Sequence, residues 1–322
     1  MRGSSACALV VVLAIACGGS GIATAADVTA DELLADMARS MHSLDYQGSF
    51  VYQHGGRTDA LRVFHLGGAR ERERLISLTG PRSEVVRNGG TITCVQSGGQ
   101  RTVFTNDANP SLVPLVPDAN VAKLAANYTL RLGGEDRIAG YNSRVVDIAA
   151  RDGYRYSYRL WLDQTSRMLL RSTVLDAHQR TLEQFMFVAL VVGVKPNETD
   201  LLPGNAAGKA RAPQDEVVLS GAPIWRVADL PAGYRLARSQ RPVQGPPDAE
   251  HLMYSDGLAS VSVYVEPDAG NSVRKASRIS RGALNVYSHS SDGWRITVLG
   301  DVPAATVTRL ARSVRRVSAS DG

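Results

Sequence analysis

Six histidines, His42, His54, His65, His178, His251 and His289, are the side chains best suited to metal or proton chemistry, and they are scattered. None forms a His-x-His or His-Glu-x-x-His pair, so metal-ligand spacing is absent and no metal or other cofactor is expected. The chain also lacks a Gly-x-Ser-x-Gly elbow, a Walker loop and a Rossmann glycine fingerprint. Glu71 and Glu73 share one strand face but alternate with arginines. That pattern reads as a solvated or cross-strand ion-paired face rather than an acid–base couple. Distant residues can still converge in space, because triads are defined by geometry. An enzyme with a dispersed site is therefore the weakest of three readings, and the expectation is a protein that is not an enzyme.

Three constellations with binding chemistry remain. Tyr154, Tyr156 and Tyr158 alternate along a predicted strand, with Arg155, Arg159 and Trp161 on its other face. Tyrosine is apolar in body and polar at its tip, so this face could line a binding hollow or simply pack a sheet. Arg235, Arg238 and Arg241 form a basic cluster, and Arg274, Lys275, Arg278 and Arg281 form a second. Either could hold phosphate or an acidic peptide, or be a solvated face. A predicted C-terminal helix carries Arg309, Arg312, Arg315 and Arg316 beside an apolar stripe of Val307, Leu310, Ala311, Val314 and Val317. Of 36 basic residues, 32 are arginine, against 31 acidic residues and a net charge of +5. The imbalance is too mild for nucleic acid. Arginine suits anionic partners through its planar fork, although a genome-wide bias toward arginine explains the excess equally well.

The elements that must position these groups are mostly strands. Leu33, Leu34, Met37 and Met41 recur at helical spacing over Asp31–Ser43, with Thr29 and Glu32 as a capping box. From Tyr46 the apolar period becomes two, and short runs follow to Val194, separated by turns such as Asn88-Gly89-Gly90 and Ala139-Gly140. Hairpin signals between alternating runs mean an antiparallel meander. A loop and a short helix at Val121–Ala126 are expected to lie across it. A strongly curved sheet covered by helices would close over an apolar hollow. Residues 196–214, rich in Pro, Gly, Asn and Ala, read as a linker. Beyond it, Asp256-Gly257 and Asp292-Gly293 sit between alternating segments, and Pro303 opens the C-terminal helix. The fold class expected is α+β: a large curved antiparallel sheet with helices over 26–195, and a smaller α+β domain over 215–322.

Residues 1–25 read as a secretory leader, with Arg2, an apolar run Ala6–Cys17 and an Ala23-Thr24-Ala25 cleavage site. Leu13-Ala14-Ile15-Ala16-Cys17 also resembles a lipoprotein processing box, so lipidation of Cys17 is the alternative. Cleavage after Ala25 leaves 297 residues, a net charge of +4 and one cysteine, Cys94. A fold with one cysteine has no internal disulfide and must rest on its core. Cys94 itself reads as a buried small hydrophobe on a strand.

Several longer strings, in order, resemble the RseB/MucB family of periplasmic regulators of the sigma-E envelope-stress response. They are Gly80-Pro81-Arg82-Ser83-Glu84-Val85-Val86, the run from Ala150 to Tyr158, and Thr181-Leu182-Glu183-Gln184-Phe185. The C-terminal half adds Arg241-Pro242, Tyr254-Ser255-Asp256-Gly257-Leu258 and Leu299-Gly300-Asp301-Val302-Pro303. The resemblance implies a first domain with the curved-sheet fold of the carriers LolA and LolB. It implies a periplasmic location and a partner, the periplasmic domain of a membrane-spanning anti-sigma factor (MucA- or RseA-like), which such proteins shield from site-1 proteolysis. Lipopolysaccharide or another acylated lipid is the implied releasing signal. No catalytic residue is carried over. The oligomeric state is left open, a homo-oligomer included. The alternative function is a periplasmic lipid or lipoprotein carrier.

Overall fold

The computed structural model describes residues 28–105, 112–113, 124–204, 210–211, 216–218, 222–242, 246, 248–268 and 276–317. The leader with its two processing points, the first half (121–123) of the short helix expected at Val121–Ala126, and Arg274 and Lys275 lie outside these residues.

Helix α1 (Ala30–Ser43) begins where the capping box places it: Glu32 N–H donates to the Thr29 hydroxyl, and the Glu32 carboxylate accepts from the Thr29 N–H. Its apolar stripe, Leu33, Leu34, Met37 and Met41, is buried. Eleven strands follow as an antiparallel sheet. The first six are β1 (Tyr46–His54), β2 (Arg57–Leu66), β3 (Arg72–Ser77), β4 (Glu84–Asn88), β5 (Thr91–Val95) and β6 (Arg101–Thr105). The other five are β7 (Tyr128–Ile138), β8 (Tyr141–Ala150), β9 (Ser157–Asp163), β10 (Leu169–Leu175) and β11 (Thr181–Val192). A two-residue strand, β12 (Ala210–Arg211), pairs in parallel with β6. The order is β12-β6-β5-β4-β3-β2-β1-β11-β10-β9-β8-β7, so β11 returns to pair with β1 and the meander runs outward on both sides. Local chemistry sets the turns: Ala139 and Gly140 take φ of 50° and 90° between β7 and β8, the conformation a two-residue hairpin of this hand needs.

The stripe of α1 shares one core cluster with Tyr46, Phe50, Phe185 and Phe187. Those phenylalanines meet edge to face, at centroid distances of 4.8 to 5.8 Å. Each fully buried Leu or Met contributes roughly 1.5–3 kcal/mol, so the helix is held by this stripe. The apolar stripe of α1 thus packs into the core of the first sheet.

Beside that core the strand register lines up Tyr46, His65, Glu73 and Arg87 across β1 to β4. Arg87 is fully buried and bonds Glu71 at 2.6 Å and Glu73 at 3.2 Å. His65 and His42 approach the same Glu71 oxygen at 3.0 and 3.1 Å. Of the two readings of Glu71 and Glu73, the cross-strand ion-paired one describes them. On the opposite face, Arg74 reaches Glu84 at 2.8 Å and the Asp200 carbonyl at 3.3 Å, while Gly204 N–H donates to Glu84 at 2.9 Å. Residues 196–204, the first part of the expected linker, are therefore docked on this sheet.

The C-terminal half forms a second sheet of β13 (Glu216–Val218), β15 (Arg235–Pro242), β16 (Glu250–Ser255), β17 (Ser260–Pro267), β18 (Ser277–Arg281), β19 (Leu284–Ser291) and β20 (Trp294–Gly300). Their order is β13-β15-β16-β17-β20-β19-β18. Helix α2 (Ala304–Arg312) packs Val307, Leu310 and Ala311 against Val261, Val263 and Val298. The helix is shorter than its apolar stripe suggested. It ends at Ser313, and Val314–Arg316 becomes a strand, β21, paired with β14 (Trp225–Val227). A β-branched Val beside a waiting strand edge overrides the helical period there.

Candidate functional site: the junction between the two sheets

The features that stand out for function lie where the two sheets meet. The run Asp152–Tyr156 leaves β8 as a turn, so the three tyrosines do not share one strand face; β9 begins only at Ser157. This turn aims Arg155 into the second half of the chain. Arg155 and Asp256 have fully buried side chains and pair at 2.8 Å. The guanidinium is held from three directions: Nε donates to Asp152 at 3.1 Å, Nη1 to Asp256, and Nη2 to the Ala232 carbonyl at 2.6 Å. Its central carbon lies over the Tyr128 and Tyr234 rings, 5.5 and 5.1 Å from their centres.

Asp256 is divided between the halves. Its Oδ1 accepts from Leu258 and Ala259 N–H groups of its own hairpin, at 3.0 and 2.8 Å. Its Oδ2 accepts from Arg155 and, at 2.9 Å, from the Tyr128 hydroxyl. Burial pushes the Tyr128 and Tyr234 hydroxyls well above the usual tyrosine range, so both are neutral and Tyr128 can only serve as a donor to this carboxylate. Every oxygen of the carboxylate is thus engaged. The network holds the two halves together and leaves no free base or nucleophile.

Around this centre runs a ring of further contacts. The Tyr154 carbonyl accepts from Thr306 at 2.8 Å and from the Tyr234 hydroxyl at 3.4 Å, and Arg309 stacks over the Tyr154 ring at 4.6 Å. Asn285 donates to the Tyr156 hydroxyl at 3.0 Å. The Glu183 carboxylate accepts from Ala283 N–H at 3.0 Å and from the Tyr52 hydroxyl. Gly233, at φ +87°, sits so close that an added Cβ would lie 2.0 Å from Asn127, which only glycine permits.

The expected site residues are thus distributed unevenly. Tyr154 and Tyr156 belong to the junction, and Tyr158 is buried in the first core behind them. They pack; they do not line an open hollow. Arg235, Arg238 and Arg241 follow β15 away from it: Arg235 is exposed, and Arg241 lines a small cavity of about 170 Å³ with Glu250, His251 and Tyr264. Residue spacing gave no sign of Asp256, Tyr128, Glu183 or Asn285. Asp256 and Glu183 do stand inside the strings that carry the family resemblance. Among the described residues, no group of three His, Cys, Asp or Glu is placed to hold a metal ion, and no helix is long and apolar enough to cross a membrane.

Comparison with known proteins agrees with this two-part geometry. The model of the MucB/RseB N-terminal domain matches residues 29–205, and that of the MucB/RseB C-terminal domain matches residues 220–315. The chain is 35% identical over 315 residues to the sigma factor AlgU regulatory protein MucB of Pseudomonas aeruginosa, covering 94% of this chain and 96% of that one. It is 32% identical over 298 residues to the sigma-E factor regulatory protein RseB of Salmonella typhimurium, covering 90% and 92%. Among solved structures, the Pseudomonas aeruginosa MucA/MucB complex matches with a TM-score of 0.71 at 33% identity, covering 90% of this chain and 99% of that one. A structure of MucB matches with a TM-score of 0.63 at 30% identity, covering 89% and 98%. Both halves and the junction between them thus fall within these matches, and the chain belongs to the MucB/RseB family of regulatory proteins, which are not enzymes.

Proposed function

We propose that this chain is a periplasmic negative regulator of sigma-E-type envelope-stress signalling. It binds the periplasmic segment of a membrane-spanning anti-sigma factor, shields that segment from site-1 proteolysis, and is released by lipopolysaccharide or a related acylated lipid. The observation that carries this reading is the match to sigma-factor regulatory proteins along both halves of the chain, including MucB in its complex with MucA. In this reading 1–25 is a leader removed on export, and the two halves act as separate domains joined through residues 196–214. The junction, with every polar group of Asp256 engaged, suits a scaffold that presents a surface rather than one that turns over a substrate. A carrier of lipid is the alternative, and the packing of α1 into the core of the first sheet supports the regulator over it.

Calorimetry of the mature chain with the periplasmic segment of its cognate anti-sigma factor tests the reading. Saturable binding, together with slower cleavage of the segment by the site-1 protease, is expected. A folded chain that neither binds nor protects the segment would overturn it.

A further inference from the structure

We propose that Arg155 and Asp256 form a latch that fixes the two domains in the arrangement that binds the anti-sigma segment. The proposal rests on the regulatory reading above and adds to it the positioning residues.

Two observations make the junction a place where geometry is set. First, each domain has its own apolar cluster: one gathers α1 with β1 and β11, the other α2 with β17 and β20. Among the described residues, few apolar groups of the second domain, notably Ala283 and Leu258, join the first cluster. Domains joined by a mainly polar contact move relative to each other unless something pins them. Second, the pin is directional. A guanidinium bonded to Asp152, Asp256 and Ala232, with two tyrosine rings beside it, fixes angle as well as distance. An apolar seam of the same size would tolerate sliding. A buried ion pair does not, because a shift leaves a charge without its partner.

The direction of the effect follows from the regulatory reading, in which the partner engages both domains. The chain matches MucB in complex with MucA at a TM-score of 0.71 and the structure of MucB at 0.63, over nearly equal coverage. Over the whole chain this structure is thus more similar to the MucB of that complex. A partner that spans both domains gains affinity when the competent arrangement is already the populated one.

The test uses the full mature chain and three variants. Arg155→Met with Asp256→Leu removes the pair without stranding a charge. Arg155→Lys keeps the charge but loses the fork, and Arg155→Met alone strands Asp256. Small-angle scattering reads the interdomain distance, calorimetry the affinity for the anti-sigma segment, and thermal melting the integrity of each domain. The double variant is expected to melt normally, to show a broadened interdomain distance, and to bind at least tenfold more weakly. Arg155→Lys is expected to fall between it and the wild type, and it carries the test if the double variant does not fold. A folded variant with unchanged distance, or one that is loosened yet binds as tightly as wild type or tighter, would overturn the latch while leaving the regulatory reading intact. Failure of the wild type to bind would instead remove the regulatory reading and the latch with it.

Discussion

Replacing Arg87 by Met probes the buried charged row of the first sheet. The Arg87 side chain has no exposed surface and lies 2.6 Å from Glu71 and 3.2 Å from Glu73, which is also fully buried. Met matches much of its length, so the change removes charge and hydrogen bonds rather than volume. Two carboxylates would then share the interior without the guanidinium that bridges them, Glu71 keeping its bonds to His42 and His65. Breaking one side of such a buried pair costs about 3–5 kcal/mol. For a domain of this size that corresponds to a fall in Tm of roughly 6–20 °C. The pH response gives a second, independent sign. Arg87 is one of the groups, with His42 and His65, that hold the Glu71 carboxyl well below the usual carboxylate range in the folded state. The stability that Arg87 adds in this way is present above the unfolded value of about 4.3 and is lost as pH falls toward the folded one, so the deficit should be largest at neutral pH and shrink below about pH 4.3. Adding Glu73→Gln should recover part of the loss, since one stranded charge is removed. Urea unfolding followed by circular dichroism at pH 3.5 and pH 7.5 measures all three. A loss under about 1 kcal/mol at neutral pH, the scale of a surface pair, would refute the account.

Other changes test other levels of the structure. His42 donates toward Glu71 and that bond raises its pKa, so the stabilisation is present below the unfolded value of about 6.5 and is lost as pH rises through the folded one. The stability gap between wild type and His42→Gln should accordingly be wider at pH 5.5 than at pH 8.5 in denaturant titrations. At Gly67 an added Cβ would lie 2.3 Å from the Ser43 carbonyl oxygen, backbone that cannot swing aside. Gly67→Ala should cost about 1–3 kcal/mol in thermal melts. Gly134→Ala, where the same Cβ meets nothing within 4 Å, should be neutral. Thr29→Ala removes the reciprocal cap of α1 and should cost about 1 kcal/mol by the same measurement.

What could be read from the sequence was whatever neighbours decide. Thr29 and Glu32 are three residues apart, so the start of α1 is written locally, as are the hairpins at Ala139-Gly140 and Asp292-Gly293. Two misreadings have a common cause. Val314 and Val317 continue a helical stripe, yet β14, nearly ninety residues earlier, supplies the edge that turns Val314–Arg316 into a strand. Tyr154, Tyr156 and Tyr158 alternate as a strand would, yet the turn at Asp152–Tyr156 is shaped by partners in the other half of the chain. Arg155 and Asp256 are separated by 101 positions, and no periodicity connects them. Composition showed an excess of arginine, but not which arginine would be buried.

The strings that carry the family resemblance are spread over the chain, and four of them meet at the junction. Asp152 to Tyr156 supplies the arginine, the tyrosine carbonyl and a tyrosine hydroxyl. Asp256 to Leu258 supplies the carboxylate and the N–H groups that hold it, Glu183 accepts the Ala283 N–H, and the Val302 carbonyl accepts from Asn285 at 2.8 Å. None of these atoms is poised for catalysis, so their common task is spatial. A contact made of hydrogen bonds with fixed directions holds one register and loses most of its energy in any other. Packing alone would give each domain a stable core and leave their mutual angle loose. Under the proposed reading, in which both domains together cover a segment of an anti-sigma factor, that angle is what the Arg155–Asp256 pair fixes.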